Sequence, residues 1–242
     1  MTAAGAAPSM VIKTARGGDA MAGTAGTGPG EIARDGSAVE FYAALPPDVA
    51  SAALVHTTIA PGTPVLELGA GAGRVTRPLI EFGHPVTAVD DSAAMLARIE
   101  GARTVRSPIQ DLDLPDRFGC VLLMSYLVNY GDRDALLATC RRHVRPDGVV
   151  VIQRDTDARW RDGAPREWAR DGVRYRLARV DRPEPGTVVA TLEYRIGEHR
   201  WTHTFTTRRL GDEDLPAVLE AAGLRLDRFL DDDGAWFTAR PR

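Results

Sequence analysis

The residues best suited to chemistry lie in one short stretch, Val65-Leu66-Glu67-Leu68-Gly69-Ala70-Gly71-Ala72-Gly73-Arg74. An apolar run of strand type enters three closely spaced glycines, and a helical pattern follows over 74–82. Glycine lets the backbone approach a ligand where a Cβ would collide, and a helix start offers unpaired N–H groups. Two ligands compete for such a turn. A dinucleotide asks for Gly-x-Gly-x-x-Gly/Ala, but the third small position counted from Gly69 falls on Arg74, and Gly73 comes one residue early. Glu67, just ahead of the turn, would repel a pyrophosphate and suits a ligand with a cationic amino group. The acid ending the next strand, Asp90 in Pro85-Val86-Thr87-Ala88-Val89-Asp90, is placed to accept hydrogen bonds from ribose hydroxyls. The pattern reads as a nucleoside site, with a nicotinamide dehydrogenase disfavoured by Arg74.

The elements that must position these groups alternate along the chain. Helical patterns are expected over 37–45, 48–59 (capped by Asp48), 74–82, 92–99 (capped by Asp91 or Ser92) and 134–144. Between them lie apolar strands at 65–68, 85–90, 104–106, 120–124 and 149–153, with a turn at Arg145-Pro146-Asp147-Gly148 before the last. Apolar strands separated by helices imply a parallel sheet buried on both faces, with right-handed crossovers. The rhythm then changes. Residues 173–177, 188–196 and 199–207 alternate, with Trp201, His203 and Phe205 on one face, which predicts an antiparallel β insertion. A helix over 212–222, a stop at Gly223 and strands near 224–230 and 235–239 close the chain. Residues 1–30 hold almost no large apolar groups and read as a disordered tail. The domain is therefore set at 31–242, with 154–210 as lid and insertion.

Glu67, Gly69, Gly71 and Gly73, Asp90 within Val89-Asp90-Asp91-Ser92-Ala93-Ala94-Met95-Leu96, and Val144-Arg145-Pro146-Asp147-Gly148-Val149-Val150 together resemble the class I S-adenosylmethionine-dependent methyltransferases. The resemblance covers residues 37–153. More loosely, Trp201–Phe205 through Ala222-Gly223-Leu224 is similar to the small-molecule subgroup that includes nucleotide-sugar N-methyltransferases. It implies a Rossmann-like α/β fold with a seven-stranded, mostly parallel sheet, helices on both faces and the antiparallel insertion. It also implies S-adenosylmethionine as cofactor and methyl transfer to an O or N atom of a small molecule, in specialised metabolism. By the resemblance, Glu67 faces the methionine amino group, Gly69, Ala70, Gly71 and Arg74 form the cofactor turn, Asp90 and Asp91 lie at the ribose, and Met95 packs near adenine. The family often places an Asp after the third strand to bond the adenine amino group. Here Pro108 stands there, so the backbone of Ile109 and the side chains of Gln110 or Asp111 are the replacements. Met124 ends the fourth strand beside the cofactor. On the acceptor side, Tyr130 stands where sugar-modifying members often carry a His, Tyr42 resembles an N-terminal tyrosine that covers the cofactor, and His203 is a candidate base in the lid.

Several of these positions also fit a purely structural role. Tyr130 and Tyr42 fit packed tyrosines as well as substrate contacts, and His203 fits a hydrogen-bonded core position. His56 and His84 read as structural and His143 as a surface residue. Asp231-Asp232-Asp233-Gly234 reads as a solvated hairpin turn, and Asp212-Glu213-Asp214 as a helix start. Two cysteines, Cys120 and Cys140, give neither a disulfide framework nor a four-thiolate metal site, so no metal is expected. Lys plus Arg total 30 against 33 Asp plus Glu, a net charge of -3, with Lys13 the single lysine. Such a balance gives no basic stripe for nucleic acid and no polybasic membrane anchor. No Asn-Pro-Pro-aromatic motif for methylating bases or glutamine occurs. Neither a secretory leader nor a membrane span is visible, so a cytoplasmic location is expected. The strands at 188–207 are expected either to pair across a homodimer or to roof the active site. Two other functions fit the same pocket: a non-methylating cyclisation or rearrangement, suggested by Tyr130, and a non-catalytic cofactor-binding partner, suggested by Pro108.

Overall fold

The computed structural model describes residues 24–156, 160 and 164–242. Its framework is a seven-stranded sheet built from β2 (Val65–Leu68), β3 (Val86–Asp90), β4 (Arg103–Arg106), β5 (Phe118–Leu123), β6 (Val144–Gln153), β11 (Leu224–Phe229) and β12 (Trp236–Pro241). The spatial order is β4-β3-β2-β5-β6-β12-β11. Strands β2 to β6 pair in parallel, while β12 runs antiparallel to both neighbours. The chain reverses its direction of growth between β2 and β5, and such a switch point opens a crevice at the strands' carboxyl ends.

Continuous apolar runs form these strands because both faces are covered. Leu66, Leu68, Val121, Leu123, Val150 and Ile152 point to one side, against α5 (Arg133–His143) and α6 (Leu215–Ala221). Val65, Cys120, Leu122, Val149 and Val151 point to the other, against α2 (Val49–Thr58) and α3 (Thr76–Glu81). The caps follow the sequence: Asp48 accepts from the Ser51 N–H (3.1 Å), and Ser92 accepts from the Met95 N–H (3.2 Å) at α4 (Ala93–Leu96).

A second, five-stranded antiparallel sheet lies above the carboxyl edge. It contains β1 (Ala25–Thr27), β7 (Arg166–Arg170), β8 (Val173–Asp181), β9 (Thr187–Ile196) and β10 (His199–Arg208), in the order β1-β10-β9-β8-β7. Its inner face buries Leu177, Ala190, Leu192, Tyr194, Trp201 and Phe205 against α1 (Val39–Ala44), where Phe41 stacks on Tyr194 at 4.3 Å.

Four expectations are corrected. Residues 25–27 form a strand on β10, so the expected tail is ordered there; residues 1–23 lie outside the described residues. A poor apolar content does not prevent backbone pairing when an open sheet edge offers partners. Strand β7, all exposed and Arg-rich, has no apolar pattern to announce it. The turn at Arg145–Gly148 is a bulge inside β6: Phe118 faces Val144 and Cys120 faces Val149. His143 is fully buried, its ring accepting from the Leu114 N–H (3.0 Å) and bonding the Thr139 carbonyl (2.9 Å), because the last turn of α5 faces the sheet. His56 and His84 bond each other (2.9 Å), as befits structural histidines.

Candidate active site

The site grows from the turn after β2. Gly69, Gly71 and Gly73 all take left-handed backbone angles (φ 71°, 54° and 80°), which side chains resist. The Gly69 and Ala70 N–H groups donate to the Val89 carbonyl (2.8 and 2.9 Å), fastening the turn to β3. Asp90 then holds it from the side. Its Oδ2 accepts from the Gly71 N–H and its Oδ1 from the Ser92 N–H, both at 2.9 Å. A Cβ on Gly69 would strike Leu127 at 2.6 Å, whereas one on Gly71 would enter open space. The first glycine serves packing and the second leaves room for a ligand. The expected helix start at 74 is displaced. Helix α3 begins at Thr76 and is six residues long, so the exposed N–H groups belong to the turn itself.

The open space is a cavity of about 710 Å³ between the two sheets. Glu67, Ala70, Met95, Arg74 and Asp90 line its floor, and Leu192, Tyr194, His203 and Phe205 its roof. Tyr42 and Asp35 stand at one side, with Met124, Tyr130 and Gln153 at another. Glu67 is buried, and burial raises its pKa to about 7, offset in part by the Thr76 hydroxyl, which donates to Oε2 at 2.5 Å, and reinforced by nearby Asp90. Burial also raises Asp90, against the two N–H groups it accepts. Burial pushes the Tyr42 phenol above its usual value, and so keeps it neutral. His203 is lowered by burial, against the pull of Asp35. Its Nε2 lies 3.0 Å from the Asp35 carbonyl. Tyr130 meets Phe205 edge-on at 5.5 Å.

The structure thus gathers Glu67, Gly69, Ala70, Gly71, Arg74, Asp90, Met95, Met124, Tyr42, Tyr130 and His203 around one cavity. Arg74 also ties down the segment before α2, its Nε donating to the Pro46 carbonyl at 2.9 Å. Asp91, Ile109, Gln110 and Asp111 are not brought to the cavity wall. Ile109 packs into the core beside the Gly69 turn, and Gln110 and Asp111 are exposed on a short 3-10 turn. Sequence reasoning missed Asp35, Gln153 and the pair Ser125 and Tyr126. Gln153 ends β6, and its Oε1 accepts from the Ser125 N–H at 2.9 Å. Ser125 and Tyr126 both adopt positive φ (54° and 62°) at the end of β5, a costly conformation of the sort that recurs at functional sites.

The fold and cavity define a nucleoside-cofactor enzyme of the doubly wound α/β type. Residues 66–152 match the family described as "Methyltransferase domain". An uncharacterized methyltransferase of Mycobacterium tuberculosis is 30% identical over 184 residues, 73% of each chain. The chain therefore belongs to the S-adenosylmethionine-dependent methyltransferases. A ubiquinone biosynthesis O-methyltransferase of Bradyrhizobium is 29% identical over 99 residues, so the match spans only 39% of that relative's length. Among solved structures, a methyltransferase of Streptomyces caelestis superposes with TM-score 0.67 at 22% identity, covering 81% of this chain and 90% of that one. A sugar N-methyltransferase of Streptoalloteichus superposes with TM-score 0.65 at 21% identity, covering 88% and 98%. These two likenesses show the class I methyltransferase fold. S-adenosylmethionine, the family's cofactor, fits the residues present: Gly71 leaves space where a side chain would stand, and the Glu67 and Asp90 carboxylates on the cavity lining would suit its amino and ribose groups.

Proposed function

We propose that the protein transfers a methyl group from S-adenosylmethionine to an O or N atom of a small molecule. The observation that carries this is the open glycine turn flanked by Glu67 and Asp90, facing a roofed cavity with room beyond the cofactor. Bound S-adenosylmethionine supplies an electrophilic methyl carbon on a sulfonium, ready to accept a nucleophile's electron pair. Glu67 receives the amino group, Asp90 the ribose hydroxyls, and Met95 the adenine face. Met124, Ala70 and Arg74 complete the walls, whereas Asp91, Ile109, Gln110 and Asp111 lie off the cavity and are given no part in holding the cofactor. Tyr42, Tyr130 and His203 form the acceptor side. There the protein's main task is alignment, which can supply about 7–11 kcal/mol. A base adds about 10²–10⁴-fold when the nucleophile must lose a proton. His203, held neutral by its burial, fits that role better than the two phenols.

The names of the similar proteins span O- and N-methylation, and both remain within this reading. Residues 25–242 act as one methyltransferase unit, with β1 and 154–210 in its lid. No described helix is long and apolar enough to cross a membrane, in keeping with work in the cytoplasm. The inner face of the lid roofs the cavity, so a homodimer would use the lid's outer face or edges, and sedimentation equilibrium reads that state. Calorimetry with S-adenosylhomocysteine tests the main proposal. The wild type is expected to bind, and Asp90→Ala to bind about 10–100-fold more weakly through lost ribose hydrogen bonds and the freed Gly71 turn. Wild-type protein that binds neither S-adenosylmethionine nor its demethylated product overturns it.

A further inference from the structure

The charges around the cavity do not balance. Asp35, Asp48, Glu67, Asp90 and Asp132 line it against Arg74 and Arg208. Four of the five acids have tasks: Glu67 and Asp90 face the cofactor, while Asp48 and Asp132 cap α2 and α5. Asp35 is left over. It sits on the segment that leads from β1 to α1, laid across the end of the lid. Its carboxylate is held in place by Ser37, whose N–H and hydroxyl donate to Oδ1 (3.0 Å) and Oδ2 (2.9 Å). Each oxygen keeps a further lone pair. Its charge acts on Tyr42, Asp90 and His203, which places it between the cofactor side and the lid. No cation pairs with it among the described residues. A half-buried carboxylate in that state favours a ligand that brings the missing charge.

The same residue also fixes the state of the lid histidine. A carbonyl oxygen can only accept, so the 3.0 Å contact of His203 Nε2 with the Asp35 carbonyl puts the ring proton on Nε2. Nδ1 then carries the ring's lone pair, on a residue that lines the cavity roof.

We infer that Asp35 determines acceptor specificity: its carboxylate selects a small primary or secondary ammonium, and its carbonyl sets the His203 tautomer whose Nδ1 takes the acceptor's proton. This rests on the methyl-transfer reading of the cavity. An aliphatic amine arrives protonated at neutral pH. One N–H bond breaks, the proton passes to Nδ1 to give an imidazolium, and the electron pair stays on nitrogen as the attacking lone pair. A neutral alcohol brings no charge for Asp35 to hold.

The test uses full-length protein saturated with S-adenosylhomocysteine and a shape-matched probe pair, cyclohexylamine and cyclohexanol, titrated by saturation-transfer NMR. The amine is expected to bind at least about tenfold more tightly than the alcohol, the scale of one charge-assisted contact. Asp35→Asn keeps the bond from the Ser37 N–H and the main-chain carbonyl, and its amide NH2 can donate to the Ser37 hydroxyl, which then accepts. It is expected to erase the preference while calorimetry shows unchanged S-adenosylhomocysteine binding, and Asp35→Glu is expected to restore part of it. Nitrogen-15 shifts of His203 are expected to report an unprotonated Nδ1 at pH 8. Equal binding of the two probes by the wild type, an amine preference that survives Asp35→Asn, or a proton on Nδ1 overturns the inference. Failure of the wild type to bind S-adenosylhomocysteine sinks the methyl-transfer reading itself, whereas cofactor binding without amine preference sinks only this one.

Discussion

Glu67 shows how a single side chain can be costly to the fold and useful to the site. Its pKa of about 7 stands above the ordinary 4.5, with burial as the main cause. A carboxylate raised in the folded state contributes its full stability below its unfolded value and loses it as pH rises through the folded one. The cost above pH 7 is on the order of 3 kcal/mol at most. Glu67→Gln is therefore expected to melt higher than the wild type at pH 8 and to match it near pH 4.5, read by thermal denaturation across that range. On the proposed reading of the site, cofactor binding runs the other way, because an amino group held by Glu67 needs the ionised acid. Wild-type affinity for S-adenosylhomocysteine is expected to rise roughly tenfold from pH 6 to pH 8, as the ionised fraction does, and the Gln variant to lose that slope. A flat wild-type profile by calorimetry would place Glu67 away from the amino group.

Among the elements, β1 and the segment after it shape the side of the cavity proposed for the acceptor. The strand is three residues long, yet it brings Gly26 opposite His203 and leaves the Trp201 indole N–H donating to the Pro29 carbonyl at 2.9 Å. The fit is close: a Cβ on Gly26 would lie 1.9 Å from the Gly36 carbonyl oxygen. Gly26→Ala is expected to detach this segment, speeding amide exchange at 25–27. S-adenosylhomocysteine affinity should hold within about threefold, because the cofactor turn is anchored in the sheet below and local opening need not spread. Strong loss of cofactor binding would mean that the two regions fold as one unit. The core strands and helices were legible because Val65–Leu68, residues 120–123 and residues 149–153 carry their own apolar pattern. Strands β1 and β7 carry none, and exist because β10 and β8 present unpaired edges.

At the scale of the molecule, Arg154 joins parts far apart in sequence. It is 3% exposed and follows β6. Its Nη1 donates to the Leu210 carbonyl (2.6 Å), its Nε to the Gly234 carbonyl (2.8 Å) and its Nη2 to Asp212, while the guanidinium lies over Phe237 at 5.9 Å. The lid's return and the β11–β12 turn are thereby clamped to the central sheet. Arg154→Ala strands two carbonyls and is expected to cost about 2–4 kcal/mol, a fall in Tm of roughly 5–12 °C for a chain of this size. A change under about 2 °C by calorimetric melting would show that the clamp is redundant.

What the residues alone determined is local. The glycine turn, the acids at the ends of β2 and β3, the helix caps and the two sheet periodicities each act within a few positions, so their chemistry is written in adjacent letters. The glycine-turn side of the cavity was readable for that reason. Only the tertiary structure decided that Asp35 meets His203, 168 positions away, that His143 turns inward, and that the antiparallel sheet roofs the cavity. Those outcomes depend on which faces pack together across long separations, and no short pattern encodes a contact whose partner is supplied by the rest of the fold.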